Sequence, residues 1–257
     1  MTAKGQSRTW RAPARRIRNA GYYVAGRLWR DAIVGIRTDQ KVVALTFDDG
    51  PDPDYAPGIL DALREHKVPA TFFLLGRNVD AHPQSARQIA EHGHTLGNHG
   101  YSHRRFPDLS RAELAREIFD CEDAIERTTG QRTRLVRPPY GNQTAAKHAL
   151  LRSLGYQTTF WSASGDDWKG DPSQDIASRA IDQTRPGGII LLHDGWEPAA
   201  NDSSPKSTHD RLRDRTPTIQ ALPIIVDTLT RQGYRFVTVP DLLKLGRSRR
   251  QRWFVPD

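Results

Sequence analysis

Val42-Val43-Ala44-Leu45-Thr46-Phe47-Asp48-Asp49-Gly50-Pro51 begins as a run of apolar and β-branched residues and closes on two adjacent carboxylates. The run reads as a buried strand, and Gly-Pro forces a turn directly after it. Two anions delivered to the tip of a buried strand repel each other and lose solvent. A cation that neutralises one of them, or use of one as a base, accounts for such an arrangement. Taken alone, Asp-Asp-Gly also fits a plain turn or the acidic cap of a helix, so its meaning depends on what lies downstream.

Outward from this strand the chain alternates short apolar runs with helical periods. Further strands are expected at Ala70–Leu74, Thr95–Asn98, Leu135–Arg137, Gln157–Trp161, Gly188–Leu192 and Arg235–Thr238. The clearest helix is Ser110–Thr128, opened by the capping-box pair Ser110 and Glu113. Other helices are expected near Tyr55–His66, Gln84–His92, Thr144–Ser153, Ile176–Thr184 and Ile219–Gln232. Strands interleaved with helices predict an α/β fold with a parallel sheet, closed as a barrel or open and doubly wound. Trp196 to Pro217, polar and rich in Asp, Ser and Pro, reads as a surface loop near the site.

A chain of 257 residues suits one α/β barrel. The single cysteine, Cys121, excludes an intramolecular disulfide and a cysteine-based zinc site, and its helical setting marks it as a small buried residue. No apolar run is long enough to span a membrane and no secretory signal is visible, so the expected compartment is the cytoplasm. The net charge of +8 is uneven: residues 1–38 carry +8, residues 244–257 carry +4, and residues 39–243 are left at −4. A mildly acidic body argues against a nucleic-acid partner. Three segments follow: a basic extension over 1–38, a catalytic domain over 39–243, and a basic tail over 244–257.

The unusual polar residues fall at strand ends. Asp48 and Asp49 follow the first strand; His99 and His103 follow the third, in Asn-His-Gly-Tyr-Ser-His; Arg137 ends the fourth, in Arg-Pro-Pro-Tyr-Gly. Trp161 to Trp168 follow the fifth, and His193 and Asp194 the sixth, in Leu-Leu-His-Asp-Gly. Parallel α/β folds build their active sites at the C-terminal ends of their strands. Two histidines at this spacing also occur as ordinary surface or core residues. Here Gly100 and the strand-end position favour a turn that brings both imidazoles to one point. With one nearby carboxylate they supply three ligands and leave positions open for water and substrate.

Together these blocks resemble the polysaccharide deacetylases of carbohydrate esterase family four, the NodB homology domain, over about Lys41 to Val239. The Trp-Ser-Ala segment that ends in Asp-Trp looks most like NodB-type chitooligosaccharide deacetylases. The resemblance implies a distorted (β/α)7 barrel and hydrolytic removal of acetyl from an N-acetylated amino sugar in an oligosaccharide, polysaccharide or glycan intermediate. It implies that Asp49, His99 and His103 bind a divalent metal, Zn2+ foremost, with Co2+ or Ni2+ as alternatives. Asp48 would be the general base, Arg137 the residue that orients it, and His193 the general acid. The backbone N–H of Tyr140 would face the oxyanion, and Trp168 and Leu191 would line a methyl-sized pocket.

Two positions depart from the family pattern. The family carries an aspartate that supports the acid histidine, and counting back from Asp167-Trp168 puts Ser164 in its place. The expectation is a less basic His193 and reduced activity, with Asp166 or Asp167 as candidate substitutes. Gly100 stands where Ser or Thr is common.

The basic ends need a separate reading. Residues 14–33 place Ile17, Gly21, Val24, Leu28 and Ala32 on one helical face. The segment reads as a basic, weakly amphipathic helix, either packed on the barrel or, with Arg247–Arg252, attached to an anionic inner membrane face. Membrane contact would suit deformylation or deacetylation of a lipid-phosphate-linked sugar; a carbohydrate-binding pseudoenzyme is the other alternative. The expected state is a monomer.

Overall fold

The computed structural model describes residues 31–197 and 206–252. In chain order the strands are β1 (Asp31–Arg37), β2 (Val42–Asp48), β3 (Ala70–Leu74), β4 (Thr95–Asn98), β5 (Leu135–Val136), β6 (Gln157–Thr158), β7 (Ala163–Ser164), β8 (Gly188–His193), β9 (Arg235–Val237) and β10 (Arg247–Arg252). The helices are α1 (Ala56–Glu65), α2 (Gly76–Ala81), α3 (Pro83–Glu91), α4 (Arg111–Thr129), α5 (Ala145–Ser153), α6 (Ser173–Gln183), α7 (Lys206–Arg213), α8 (Thr216–Arg231) and α9 (Val239–Lys244). All seven expected strands are present, the fifth shortened to β6, while β7 lies beyond its expected end at Trp161. The six expected helices are present to within a few residues.

The sheet runs β10-β1-β8-β2-β3-β4-β5-β6, with β7 beside β8 and β9 beside β2. From β8 to β6 the strands are parallel. A bridge between Ile33 and Thr159, with Phe160 N donating to Ile33 O at 2.7 Å, brings the last of them back to β1 and curls the sheet into a distorted α/β barrel. Continuous apolar runs make β2 and β3 because both of their faces are buried. Alternation then sorts the side chains. Val43, Leu45 and Phe47 join Phe72 and Leu74 in the layer under the helices, whereas Val42 and Ala44 join Phe73 and Ile189 in a second cluster. Thr46 and Asp48 share the face of Val42 and Ala44, so the period of two sends Asp48 into the barrel.

Two expectations are corrected here. The sheet takes in Asp31–Arg37 and Arg247–Arg252, segments the sequence reading assigned to basic ends outside the catalytic domain. Ala32, Ile33, Val34 and Ile36 are buried, an apolar run masked by charged flanks and Gly35. β10 has no apolar pattern; it is an edge strand held by antiparallel pairing to β1, and its arginines are typical of a protected edge. Arg247–Arg252 is therefore a strand rather than a free tail. Ala32, the last apolar position of the expected N-terminal helix, lies in β1; the rest of that helix falls outside the described residues. The expected loop over Trp196–Pro217 contains α7 and the start of α8. No helix among the described residues is long and apolar enough to cross a membrane.

Candidate active site

Register brings the polar residues to one end of the barrel. Asp48 is level with Phe73 on one side and His193 on the other. Leu74 is level with Asn98, Asn98 with Val136, and Val136 with Thr158. The residues that follow these strands therefore emerge together at their C-terminal ends.

Arg137, fully buried, sits beneath Asp48. Its Nη1 donates to Asp48 Oδ1 at 2.6 Å and Thr46 Oγ1 at 2.9 Å, its Nη2 to Phe160 O at 3.1 Å, and its Nε to Thr159 O at 3.3 Å. The guanidinium carbon lies 4.1 Å from the Phe73 ring centroid. Burial pulls the arginine's proton affinity down while the Asp48 charge opposes that. Four of its five donors are used, and the other oxygen of Asp48, Oδ2, lies 3.8 Å from His99 Nε2.

Asp49 takes a left-handed conformation (φ 76°), and Asn78 Nδ2 holds its carbonyl at 2.8 Å. Its Oδ1 is 3.2 Å from Nε2 of both His99 and His103. His99 Nδ1 is 2.7 Å from Arg137 O, which can only accept, so Nδ1 carries a hydrogen, and in the neutral ring that a metal ligand requires Nε2 presents a lone pair towards Asp49. A lone pair against a carboxylate oxygen is repulsive. Accordingly Asp49 Oδ1 is buried without a hydrogen-bond partner among the described residues, as is His103 Nδ1. These ligand atoms lie within 4.8 Å of one another, and all three residues are buried. The donor set, two imidazoles and one carboxylate with an orphaned oxygen, fits a divalent metal.

The histidine turn is held from α4. Glu117 Oε2 accepts from Tyr101 N and Ser102 N, each at 2.8 Å, and Oε1 accepts from Ser102 Oγ at 2.5 Å. Asn98 Oδ1 accepts from Gly100 N at 2.8 Å. Gly100 has φ 83°, and a Cβ there would lie 3.3 Å from Phe106 and 3.4 Å from Glu117, so the left-handed turn favours glycine without a hard clash to exclude a small side chain. The capping box that starts α4 is present, with Ser110 Oγ accepting from Glu113 N at 3.2 Å. The sequence reading missed Glu117; its only signal was an acidic residue on the same helical face as Leu114, Ile118 and Cys121.

On the opposite side His193 Nδ1 pairs with Asp167 Oδ1 at 2.7 Å, and the His193 N–H donates to Asp167 Oδ2 at 2.9 Å. Burial alone would lower the imidazole's proton affinity; the charge and hydrogen bond of Asp167 outweigh it, and His193 is pushed up to about 9. Burial likewise opposes ionisation of Asp167, but the His193 charge holds its carboxyl below the usual range. This corrects the expectation at Ser164. The hydroxyl of Ser164 donates to Asp166 Oδ1 at 2.8 Å and accepts from Asp166 N at 3.0 Å, and Asp166 pairs with Lys169 at 2.8 Å. Neither Ser164 nor Asp166 is the partner of His193. The aspartate lies in the Asp-Trp pair itself, because the left-handed Asp166 (φ 50°) reverses the chain and turns Asp167 inward.

Tyr140 is left-handed (φ 59°) and its ring centroid lies 4.4 Å from that of His103. Leu191 is buried in β8 opposite Ser164, and Trp168 is half-exposed with Lys169 Nζ 5.4 Å from its ring. Asp194 was noted only as the neighbour of His193. It is fully buried, and burial, then the charges of Asp49 and Asp48, push its carboxyl well above the usual range. Its Oδ1 accepts from Gly50 N at 3.1 Å. A Cβ on Gly50 would meet Asp194 Oδ2 at 1.9 Å, so glycine at 50 is a steric requirement of the carboxylate pair.

Comparison with known proteins gives concordant findings. The family model described as polysaccharide deacetylase matches residues 35–159. A peptidoglycan-N-acetylglucosamine deacetylase of Bacillus cereus is 36% identical over 211 residues, 81% of this chain and 91% of that protein. A chitooligosaccharide deacetylase of Bradyrhizobium is 37% identical over 206 residues, 79% of this chain and 90% of that protein. The crystal structure of the Bc1960 peptidoglycan N-acetylglucosamine deacetylase superposes with a TM-score of 0.75 at 32% identity, covering 88% of this chain and 99% of that one.

Proposed function

The chain belongs to the polysaccharide deacetylase family, and we propose that it is a metal-dependent hydrolase that removes acetyl groups from the nitrogen of N-acetylated amino sugars in a glycan. One observation carries this reading: a buried carboxylate–arginine pair and a partly exposed imidazole on a buried carboxylate flank a three-ligand cluster at the end of one barrel. The relatives named for peptidoglycan and for chitooligosaccharides share an N-acetylated amino sugar, which is the substrate class proposed here.

Asp49, His99 and His103 would hold the metal. Two neutral nitrogen donors and one carboxylate suit Zn2+. When bound, such an ion supplies Lewis-acid polarisation of the amide carbonyl and acidifies water at the site. Asp48, fixed by Arg137 through Oδ1, takes the proton of the attacking water. His193, protonated at neutral pH because Asp167 stands behind it, delivers its Nε2 proton to the departing nitrogen; the C–N bond breaks and a free amine leaves with acetate. The Tyr140 peptide N–H is the proposed protein donor to the oxyanion, and Trp168 and Leu191 are the proposed acetyl-methyl contacts.

The test uses zinc-loaded protein with chitooligosaccharides and with peptidoglycan fragments, read by mass spectrometry for stepwise acetyl loss. Metal-dependent loss that an Asp48→Asn variant lacks is the expected result. Absence of metal-dependent loss on both substrate classes would overturn the reading.

A further inference from the structure

The acid half of the site rests on a helix turn that neither the strand-end motifs nor the mechanism has used. Asp167 is wholly buried, 26 residues before its partner His193. Its Oδ2 accepts a third hydrogen bond, from Thr218 Oγ1 in the first turn of α8, at 2.8 Å. Arg215, immediately before that helix, is also fully buried. Its Nη1 donates to the Asp167 carbonyl at 3.0 Å, its Nε to the Gly195 carbonyl at 3.0 Å, and its Nη2 to the Leu212 carbonyl.

These contacts are directed at the pair. A buried guanidinium is expensive unless its donors are used, and here two of the three recipients are the loops that carry Asp167 and His193. Arg215 therefore staples those loops at the point where acid and carboxylate meet. Thr218 acts on the carboxylate itself. With Oδ2 occupied by the His193 N–H and by Thr218, the plane of the carboxylate cannot rotate, and Oδ1 is reserved for His193 Nδ1. That in turn aims Nε2. The other charged groups around His193 are Asp48 and Asp49, on the cleft side; none of them restrains Asp167.

We propose that Arg215 and Thr218 are positioning residues of the acid half, acting on leaving-group protonation through Asp167 and not on attack by water. The proposal rests on the reading of His193 as general acid. It separates the two halves of the reaction: substrates that need a proton on the leaving group depend on Thr218, and substrates that do not are indifferent to it.

The experiment compares Thr218→Val, which keeps the side-chain shape, with Thr218→Ser, which restores the hydroxyl. N-acetyl glycan hydrolysis and 4-nitrophenyl acetate hydrolysis are both measured on zinc-loaded protein; the nitrophenolate leaves without a proton. Thr218→Val should lower kcat for the amide roughly tenfold, the size of one lost hydrogen bond to a charged group. KM should hold, the ester rate should stay within about twofold, and Thr218→Ser should recover the amide rate. Equal losses on amide and ester, or no loss on the amide, would overturn the proposal. Proton NMR of the His193 Nδ1–H resonance gives a readout independent of turnover: it should shift in Thr218→Val and return in Thr218→Ser. An unmoved resonance sinks the inference even in an active enzyme. A moved resonance with no deacetylation of any glycan supports the positioning role and overturns the functional reading instead.

Discussion

The two halves of the site are built on opposite principles. In the metal half, Asp49 Oδ1 and His103 Nδ1 are buried without hydrogen-bond partners among the described residues, and a neutral His99 turns a lone pair on a carboxylate. In the acid half, every oxygen of the Asp167 carboxylate has a donor: His193 Nδ1 on one, His193 N–H and Thr218 on the other. Unsatisfied buried polar groups cost about 1–3 kcal/mol each. The first half is therefore complete only with a cation, whereas the second is complete as it folds. Structure that waits for a ligand and structure that is finished without one respond differently to the same perturbation.

The largest effect that separates them is metal-linked stability. At free zinc one hundredfold above its dissociation constant, binding adds about 2.7 kcal/mol, which for a chain of this size raises Tm by roughly 5–10 °C. His103→Ala should abolish that rise and lower deacetylation by a factor on the order of 10³ or more. Asp167→Asn should retain the zinc-dependent rise in full. Differential scanning fluorimetry with and without a chelator reads both, and loss of the rise in Asp167→Asn would erase the division drawn here.

The next effect lies in the acid half. Asp167 outweighs burial and lifts His193 from the ordinary 6.5 to about 9. With asparagine at 167 only the charges of Asp49 and Asp48 still oppose burial, so the imidazole loses its proton at lower pH. The basic limb of the kcat/KM profile should move down from near pH 9, with a rate loss of about 10²-fold at neutral pH. Stability carries the same sign. Because the folded value is raised, the contribution of His193 is complete below about pH 6.5 and is lost as pH rises through about 9. Urea midpoints at pH 6 and pH 9.5 should therefore differ less in Asp167→Asn than in the parent protein. An equal or greater difference in the variant would count against the pairing.

The same contrast explains what the sequence disclosed. The metal half is local: Asp48-Asp49 and His99 to His103 are contiguous strings at the ends of strands whose apolar runs are plain, so ligands and strands were legible together. Arg137 was legible for the same reason, in Arg-Pro-Pro-Tyr-Gly. The acid half is assembled across 51 residues, from Asp167 to Thr218, by a left-handed residue and a helix start. Counting positions within one segment points to Ser164 and leaves Asp166 and Asp167 as equal substitutes, because spacing says nothing about a chain reversal at Asp166. Arg215 and Thr218 carry no motif; Arg215 falls in the expected loop Trp196–Pro217, and the helix is expected only from Ile219, after both. β10 escaped for a different reason. An edge strand is specified by backbone pairing more than by an apolar pattern, and six residues of Arg-Ser-Arg-Arg-Gln-Arg offer no pattern at all.

The smallest effect is the sharpest check on that correction. If an aspartate at 164 were the missing support of His193, Ser164→Asp would raise activity and carry the basic limb to higher pH. The structure argues otherwise. Ser164 Oγ is already committed to both the carboxylate and the N–H of Asp166, and Asp167 has already taken both hydrogens that His193 offers on that side. A carboxylate at 164 would face that of Asp166, lose the hydroxyl donor and set two like charges side by side in a nearly buried turn. The expected cost is about 1–2 kcal/mol of stability, relieved in part by Lys169, which already pairs with Asp166. Deacetylation should change less than about twofold, since the turn distorts around Asp166 and the Asp167–His193 contact is held from α8. A pH–rate profile of Ser164→Asp that overlays the parent's basic limb, with a lower melting temperature, is the expected outcome. A limb displaced upward with faster turnover would mean that the acid draws on a second carboxylate, and that the acid half, like the metal half, is unfinished as it folds.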